Sequence, residues 1–203
     1  MSEVRLVSSM EGPDGAPVVI LANPIGTTRA IWDAQARVLR EDYRLLRFEL
    51  RGHGSPGARS DAPPGPYSIA ELGTDVLSLM REYGVATAAY CGISIGGMTG
   101  LWLARQPAAV AFVVDMLLGT DPAGYAGCAA AVAAMDLRPA LGAIKAPTLV
   151  IAGAEDQAAP PWQGAMTASG ITDARLRVIR GTSHLAPYQT PGPVTAAIRE
   201  HLG

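Results

Sequence analysis

The chain predicts an α/β fold, a mostly parallel sheet with helices on both faces, and three observations carry that expectation. Apolar runs too continuous to leave a solvated strand face alternate with stretches of helical periodicity. The run from Ala86 to Cys91 ends in Gly92-Ile93-Ser94-Ile95-Gly96-Gly97, a glycine-flanked turn from strand into helix. Three residues of catalytic type, Ser94, Asp156 and His184, each follow a predicted strand, and in a parallel sheet such loops gather at one edge. With 203 residues, 49% of them hydrophobic and 17% charged, one core and one domain over 1–203 are expected.

Taken in order, Val4 to Met10 alternates in part and reads as a strand, and the turn residues Glu11 to Gly15 separate it from the buried run Pro17 to Ala22. Asn23-Pro24-Ile25-Gly26-Thr27-Thr28 follows, then Ile31, Ala34, Val38 and Leu39 at helical spacing, with Thr27 or Thr28 placed to cap that helix. Tyr43 to Leu50 is the next strand and ends in Arg51-Gly52-His53-Gly54. Asp61 to Pro66 is a proline-rich loop. Ser68-Ile69-Ala70-Glu71 forms a capping box for a helix that Gly84 ends.

Beyond the glycine-flanked turn, Met98 to Ala104 continues a helix. Val110 to Met116 reads as a strand from its β-branched residues, although Pro107 to Leu118 also fits a helix. Asp121 to Ile144 is alanine-rich and helical, in one piece or in two around Leu137-Arg138-Pro139. Pro147 to Gly153 is a buried strand, Pro160 and Pro161 open a short helix, Ala174 to Arg180 is the last strand, and Val194, Ile198 and Leu202 stripe the final helix.

Composition excludes several classes. A net charge of −2 offers no basic footprint for nucleic acid or an anionic membrane, so a small-molecule ligand is expected. Cys91 and Cys128 form no C-x-x-C pair, which points away from a metal or disulfide framework and toward a reducing compartment. The start lacks a basic segment followed by an apolar stretch, and no apolar run nears about 18 residues, so a cytoplasmic location is expected.

The chemistry follows from residue types and order. Serine is a poor nucleophile until a base takes its proton, and an imidazole base needs a carboxylate to fix its tautomer and stabilise its charged form. Ser94, Asp156 and His184 are expected in those roles, with Glu155 and Asp115 the other carboxylates that could serve. His53 is expected to shape its glycine turn and His201 to lie solvated on the last helix. An oxyanion hole needs two amides, one after the nucleophile and one from the loop after an early strand, here Ile95 and Ile25. Trp32, Met98 and Trp162 are candidate substrate-binding residues near these loops.

The chain resembles the 3-oxoadipate enol-lactonase group of α/β-hydrolases. The likeness runs through Asn23 to Thr28 with Trp32-Asp33, Arg51 to Gly54, Pro63 to Ile69, Gly92 to Met98, Asp121 to Cys128, Asp136 to Arg138 and Pro147 to Asp156. It implies an α/β-hydrolase core, triad roles for Ser94, Asp156 and His184, an oxyanion hole at Ile25 and Ile95, no cofactor, and hydrolysis of the enol-lactone to 3-oxoadipate. The stretch from Ser94 to Asp156 is too short for the family's helical cap, so most of that cap is expected to be missing. An open site brings in a broad short-chain carboxylesterase as a rival reading, and a binding protein on a hydrolase core as another. Apolar surface bared by cap loss is expected to favour a homodimer.

Overall fold

The computed structural model describes residues 4–55, 57–104, 112–113 and 122–203. Among these, seven strands form one sheet: β1 (Ser8–Glu11), β2 (Val18–Ala22), β3 (Arg44–Phe48), β6 (Ala89–Gly92), β7 (Phe112–Val113), β8 (Thr148–Gly153) and β9 (Ala174–Ile179). The order is β1-β3-β2-β6-β7-β8-β9, with β4 (Gly54–Ser55) and β5 (Ala58–Arg59) forming a separate small ribbon. β1 runs antiparallel to β3, and the other pairs in the sheet are parallel.

Side chains alternate across a strand, and β2 shows why its continuous apolar run belongs mid-sheet. Ile20 packs with Leu46, Phe48 and Tyr90 beneath α2 (Ile69–Glu82) and α3 (Ile95–Ala104). Val19 and Leu21 face the other way, joining Leu45, Cys91 and Trp32 against α1 (Asp33–Leu39) and α7 (Pro191–Leu202). The sheet is thus covered on both faces, as expected of apolar parallel strands.

The capping box at Ser68 forms as expected. Ser68 Oγ accepts from the Glu71 amide at 3.1 Å, and Glu71 Oε2 accepts from the Ser68 amide at 2.8 Å. Gly84, at φ 65°, turns the chain out of the helix, and the Val85 amide reaches back to the Met80 carbonyl at 2.7 Å. α2 is also tied down by a buried ion pair in which Arg51 Nη2 donates to Asp75 Oδ1 at 2.8 Å.

At 112–113 the strand reading holds, since Phe112 and Val113 pair with Cys91 and Gly92, and Val113 with Val150. The remainder of 107–118, Asp115 included, lies outside the described residues. The alanine-rich segment divides near Leu137 into α4 (Pro122–Ala133) and a 3-10 turn (Arg138–Ala143). A 3-10 turn (Arg29–Trp32) leads into α1, and α5 (Pro161–Gly170) and α6 (Ala186–Gln189) complete the helices described.

β9 is an edge strand with Leu176 and Val178 exposed, and the fully covered interior ends at β8. Two local expectations are corrected. Neither Thr27 nor Thr28 caps the turn into α1 through its side chain. Thr27 Oγ1 instead donates to the Pro24 carbonyl, and the buried Glu49 carboxylate accepts from the Arg29 amide at 3.1 Å. His201 is half-buried rather than solvated, packed where Nε2 donates to the Pro147 carbonyl at 3.3 Å and Nδ1 accepts from Arg175 at 3.2 Å. Burial lowers its pKa.

Candidate active site

Ser94 sits between the end of β6 and the start of α3 at φ 49°, the left-handed region that a non-glycine residue enters at a cost. The glycines around it make the turn sterically feasible. A Cβ on Gly92 would lie 2.5 Å from the Gly96 carbonyl oxygen, and one on Gly96 would lie 2.6 Å from that of Asn23. The Ser94 carbonyl accepts from the Met98 amide at 2.8 Å, which seats the strained residue on the first turn of α3. That helix directs its N-terminal positive end toward the serine.

Asp156 follows β8 and His184 follows β9, and the two meet although 28 residues of chain separate them. His184 Nδ1 lies 2.8 Å from Asp156 Oδ2 and 3.0 Å from Oδ1. Because a carboxylate only accepts, the neutral imidazole carries its proton on Nδ1 and its lone pair on Nε2. Asp156 Oδ1 also accepts from the Ala158 and Ala159 amides at 2.9 and 2.8 Å, so the loop itself holds the carboxylate. The Asp156 side chain is 2% exposed and that of His184 17%. Glu155, the rival carboxylate, accepts instead from the Gly181 amide at 3.1 Å.

The strand ends that bear these loops are brought close by one more glycine. A Cβ on Gly153 would lie 2.3 Å from the Ser183 carbonyl oxygen, so only glycine lets the loop before His184 cross the end of β8. Sequence reasoning passed over this residue, although a strand ending in Ala-Gly just before an acidic pair was a signal for close backbone approach.

Ile95 is the first residue of α3, where helix amides have no intrahelical acceptor. The turn containing Ile25 leaves β2 beside it, and the Ala22 and Asn23 carbonyls lie against Gly96. Ile25 and Ile95 are both buried. His53, expected only to shape its own turn, also reaches across to accept from the Gly26 amide at 3.0 Å. Asn23 Nδ2 donates to the Phe48 carbonyl at 3.0 Å, tying the start of the turn to the end of β3.

The three candidate substrate-binding residues fall in different places. Trp162, on the first turn of α5 beyond Asp156, is 62% exposed. Met98 is half-buried on α3, one turn beyond Ser94. Trp32 is packed with no exposed surface among Leu21, Leu39 and Val194, the setting of a core side chain rather than of pocket lining. Among the described residues there is no cluster of His, Cys, Asp and Glu able to hold a metal, and no helix long and apolar enough to cross a membrane.

A strained serine at a helix N-terminus, an imidazole backed by a buried carboxylate and two turn amides are the parts acyl transfer requires. Residues 17–117 match the model of a family described as alpha/beta hydrolase fold. 3-Oxoadipate enol-lactonase 2 of Acinetobacter baylyi is 28% identical over 251 aligned residues, covering 97% of this chain and 92% of that protein. That alignment is longer than the whole 203-residue chain, so the relative carries residues with no counterpart here. Among solved structures, a hydrolase from Pseudomonas aeruginosa PA01 superposes with a TM-score of 0.91 at 32% identity, covering 98% of this chain and 95% of its own. The enol-lactonase from Burkholderia xenovorans LB400 superposes with a TM-score of 0.90 at 30% identity, covering 98% and 96%.

Proposed function

Because the chain belongs to the α/β hydrolase fold family, we propose that it is a serine hydrolase that cleaves a carboxylic ester or lactone through an acyl-enzyme, with 3-oxoadipate enol-lactone as the leading substrate. The observation that carries this reading is the bond from His184 Nδ1 to Asp156, which in the neutral imidazole puts the basic lone pair on Nε2.

Ser94 Oγ attacks the acyl carbon while His184 Nε2 takes the hydroxyl proton. The carbonyl oxygen becomes an oxyanion against the Ile25 and Ile95 amides, and Asp156 stabilises the imidazolium. Collapse of the tetrahedral species breaks the bond to the leaving oxygen, which receives the proton from His184. Water then attacks the acyl-enzyme with His184 again as base, and Ser94 leaves with its proton restored. In a lactone the leaving oxygen stays tethered to the acyl group, so a single ring-opened acid departs at the second step.

The substrate assignment rests on the enol-lactonases that the chain resembles along nearly its whole length. A broad short-chain carboxylesterase is the second reading, favoured by the exposure of Trp162 beside the Asp156 loop and by the short stretch between Ser94 and Asp156. Parallel assays of 3-oxoadipate enol-lactone and p-nitrophenyl acetate, with wild type and Ser94→Ala, separate these. Faster turnover of the lactone supports the first reading, and turnover of the acetate alone supports the second. Failure of both substrates with wild type removes the hydrolase reading for esters and lactones.

A further inference from the structure

We infer that His53 and Thr27 are positioning residues that aim the Ile25 amide into the oxyanion hole, by pinning the peptide groups on either side of Ile25. The inference rests on the proposed role of Ile25.

The Pro24–Ile25 peptide holds both the Pro24 carbonyl and the Ile25 N–H, which point in opposite directions across a planar trans unit. Thr27 Oγ1 donates to that carbonyl at 3.2 Å, so its hold on the oxygen fixes the opposite direction of the N–H. On the far side of Ile25, the Gly26 N–H donates to His53 Nε2 at 3.0 Å. Gly26 has φ 83°, a left-handed conformation through which the turn doubles back, and its amide is held by a side chain from outside the loop.

The backbone partners dictate the state of His53. The Gly26 amide can only donate, so Nε2 must present a lone pair. The Arg51 carbonyl, 2.7 Å from Nδ1, can only accept, so Nδ1 carries the hydrogen. His53 is 1% exposed and its own backbone is fixed, its amide donating to the Leu50 carbonyl at 2.9 Å and its carbonyl accepting from Ser60 at 3.0 Å. The imidazole therefore works as a rigid strut from the turn after β3 to the turn after β2. Glu49, from the same turn, holds the other end of the loop by accepting from the Arg29 amide.

Two substitutions separate the two bonds. In His53→Asn the side-chain amide nitrogen falls near the position of Nδ1 and keeps the bond to Arg51, while the acceptor for Gly26 is lost. In His53→Gln an oxygen falls near Nε2 and keeps that acceptor. With p-nitrophenyl acetate, His53→Asn is expected to lower kcat by about 10- to 100-fold with KM within about twofold, and His53→Gln is expected to recover most of the loss. Thr27→Val should lower kcat in the same sense. Melting temperatures are measured alongside. Full kcat in His53→Asn overturns the proposal, as does an equal loss in both His53 variants that tracks their melting temperatures. The same comparison is run with 3-oxoadipate enol-lactone, and wild type that turns over neither substrate overturns the hydrolase reading instead, and the proposal with it.

Discussion

Both carboxylate oxygens of Asp156 lie within hydrogen-bond distance of His184 Nδ1, and one of them is also held by two loop amides. The pair is fixed from the acid side, so the histidine's tautomer is set before any substrate arrives. Asp156→Asn tests what that fixing does. The Ala158 and Ala159 amides demand an acceptor at the Oδ1 position, which steers the asparagine NH2 to the Oδ2 position facing Nδ1. His184 must then accept there and carry its proton on Nε2, the wrong tautomer for a base. Steady-state assays should show kcat reduced by a factor on the order of 10⁴ with the fold intact, and a loss under about tenfold would contradict the assigned role.

Gly96 allows the Ser94 turn and the Ile25 turn to touch. In Gly96→Ala the new methyl group would meet the Asn23 and Ala22 carbonyl oxygens at 2.6 and 2.7 Å, both backbone and unable to swing aside. Destabilisation of about 1–3 kcal/mol is expected. Because a misplacement near 1 Å costs on the order of 100-fold in rate, turnover should fall further than stability. Denaturant melts together with kcat report both, and unchanged kcat would contradict the close contact.

The two cysteines serve packing. Cys91 and Cys128 are buried, and burial pushes the Cys128 thiol up to about 12 and raises that of Cys91 as well. Thiolate is the reactive form, so Ellman's reagent should leave the folded protein unlabelled and titrate two thiols only after denaturation. Rapid labelling of the native state would contradict this burial.

Glu49 gives a pH dependence with a definite sign. Burial lifts its carboxyl above the usual carboxylate range, against the pull of the Arg29 amide and of the Arg29 and Arg47 charges. The folded chain then holds the proton more tightly than the unfolded chain, so this contribution to stability is complete below the ordinary pKa near 4.3 and is lost as pH rises through the raised folded value. Glu49→Gln keeps an acceptor for the Arg29 amide and cannot ionise. Between about pH 4 and pH 7 its melting temperature relative to wild type should shift upward, and a downward shift would contradict the assignment.

Much of this fold can be read from local pattern. The apolar run of β2, the capping box at Ser68 and the glycine at 84 each carry their signal within a few residues, and each forms where expected. The meeting of Asp156 and His184 was legible from their order along an alternating α/β chain. What stayed hidden depends on contacts distant in sequence. Glu49, rather than a nearby threonine, meets the amide of Arg29 because the end of β3 passes beside that turn. His53 reaches Gly26 for the same reason, and Gly153 matters only because the chain returns across it some 30 residues later.

The most direct test of the central claim is rapid acid quenching of wild type during turnover of p-nitrophenyl acetate, followed by peptide mass analysis. The account predicts a burst approaching one p-nitrophenolate per chain and one acetyl group on the peptide that carries Ser94, both absent in Ser94→Ala. Turnover that persists in Ser94→Ala, or an acetyl group found on another residue, would contradict it.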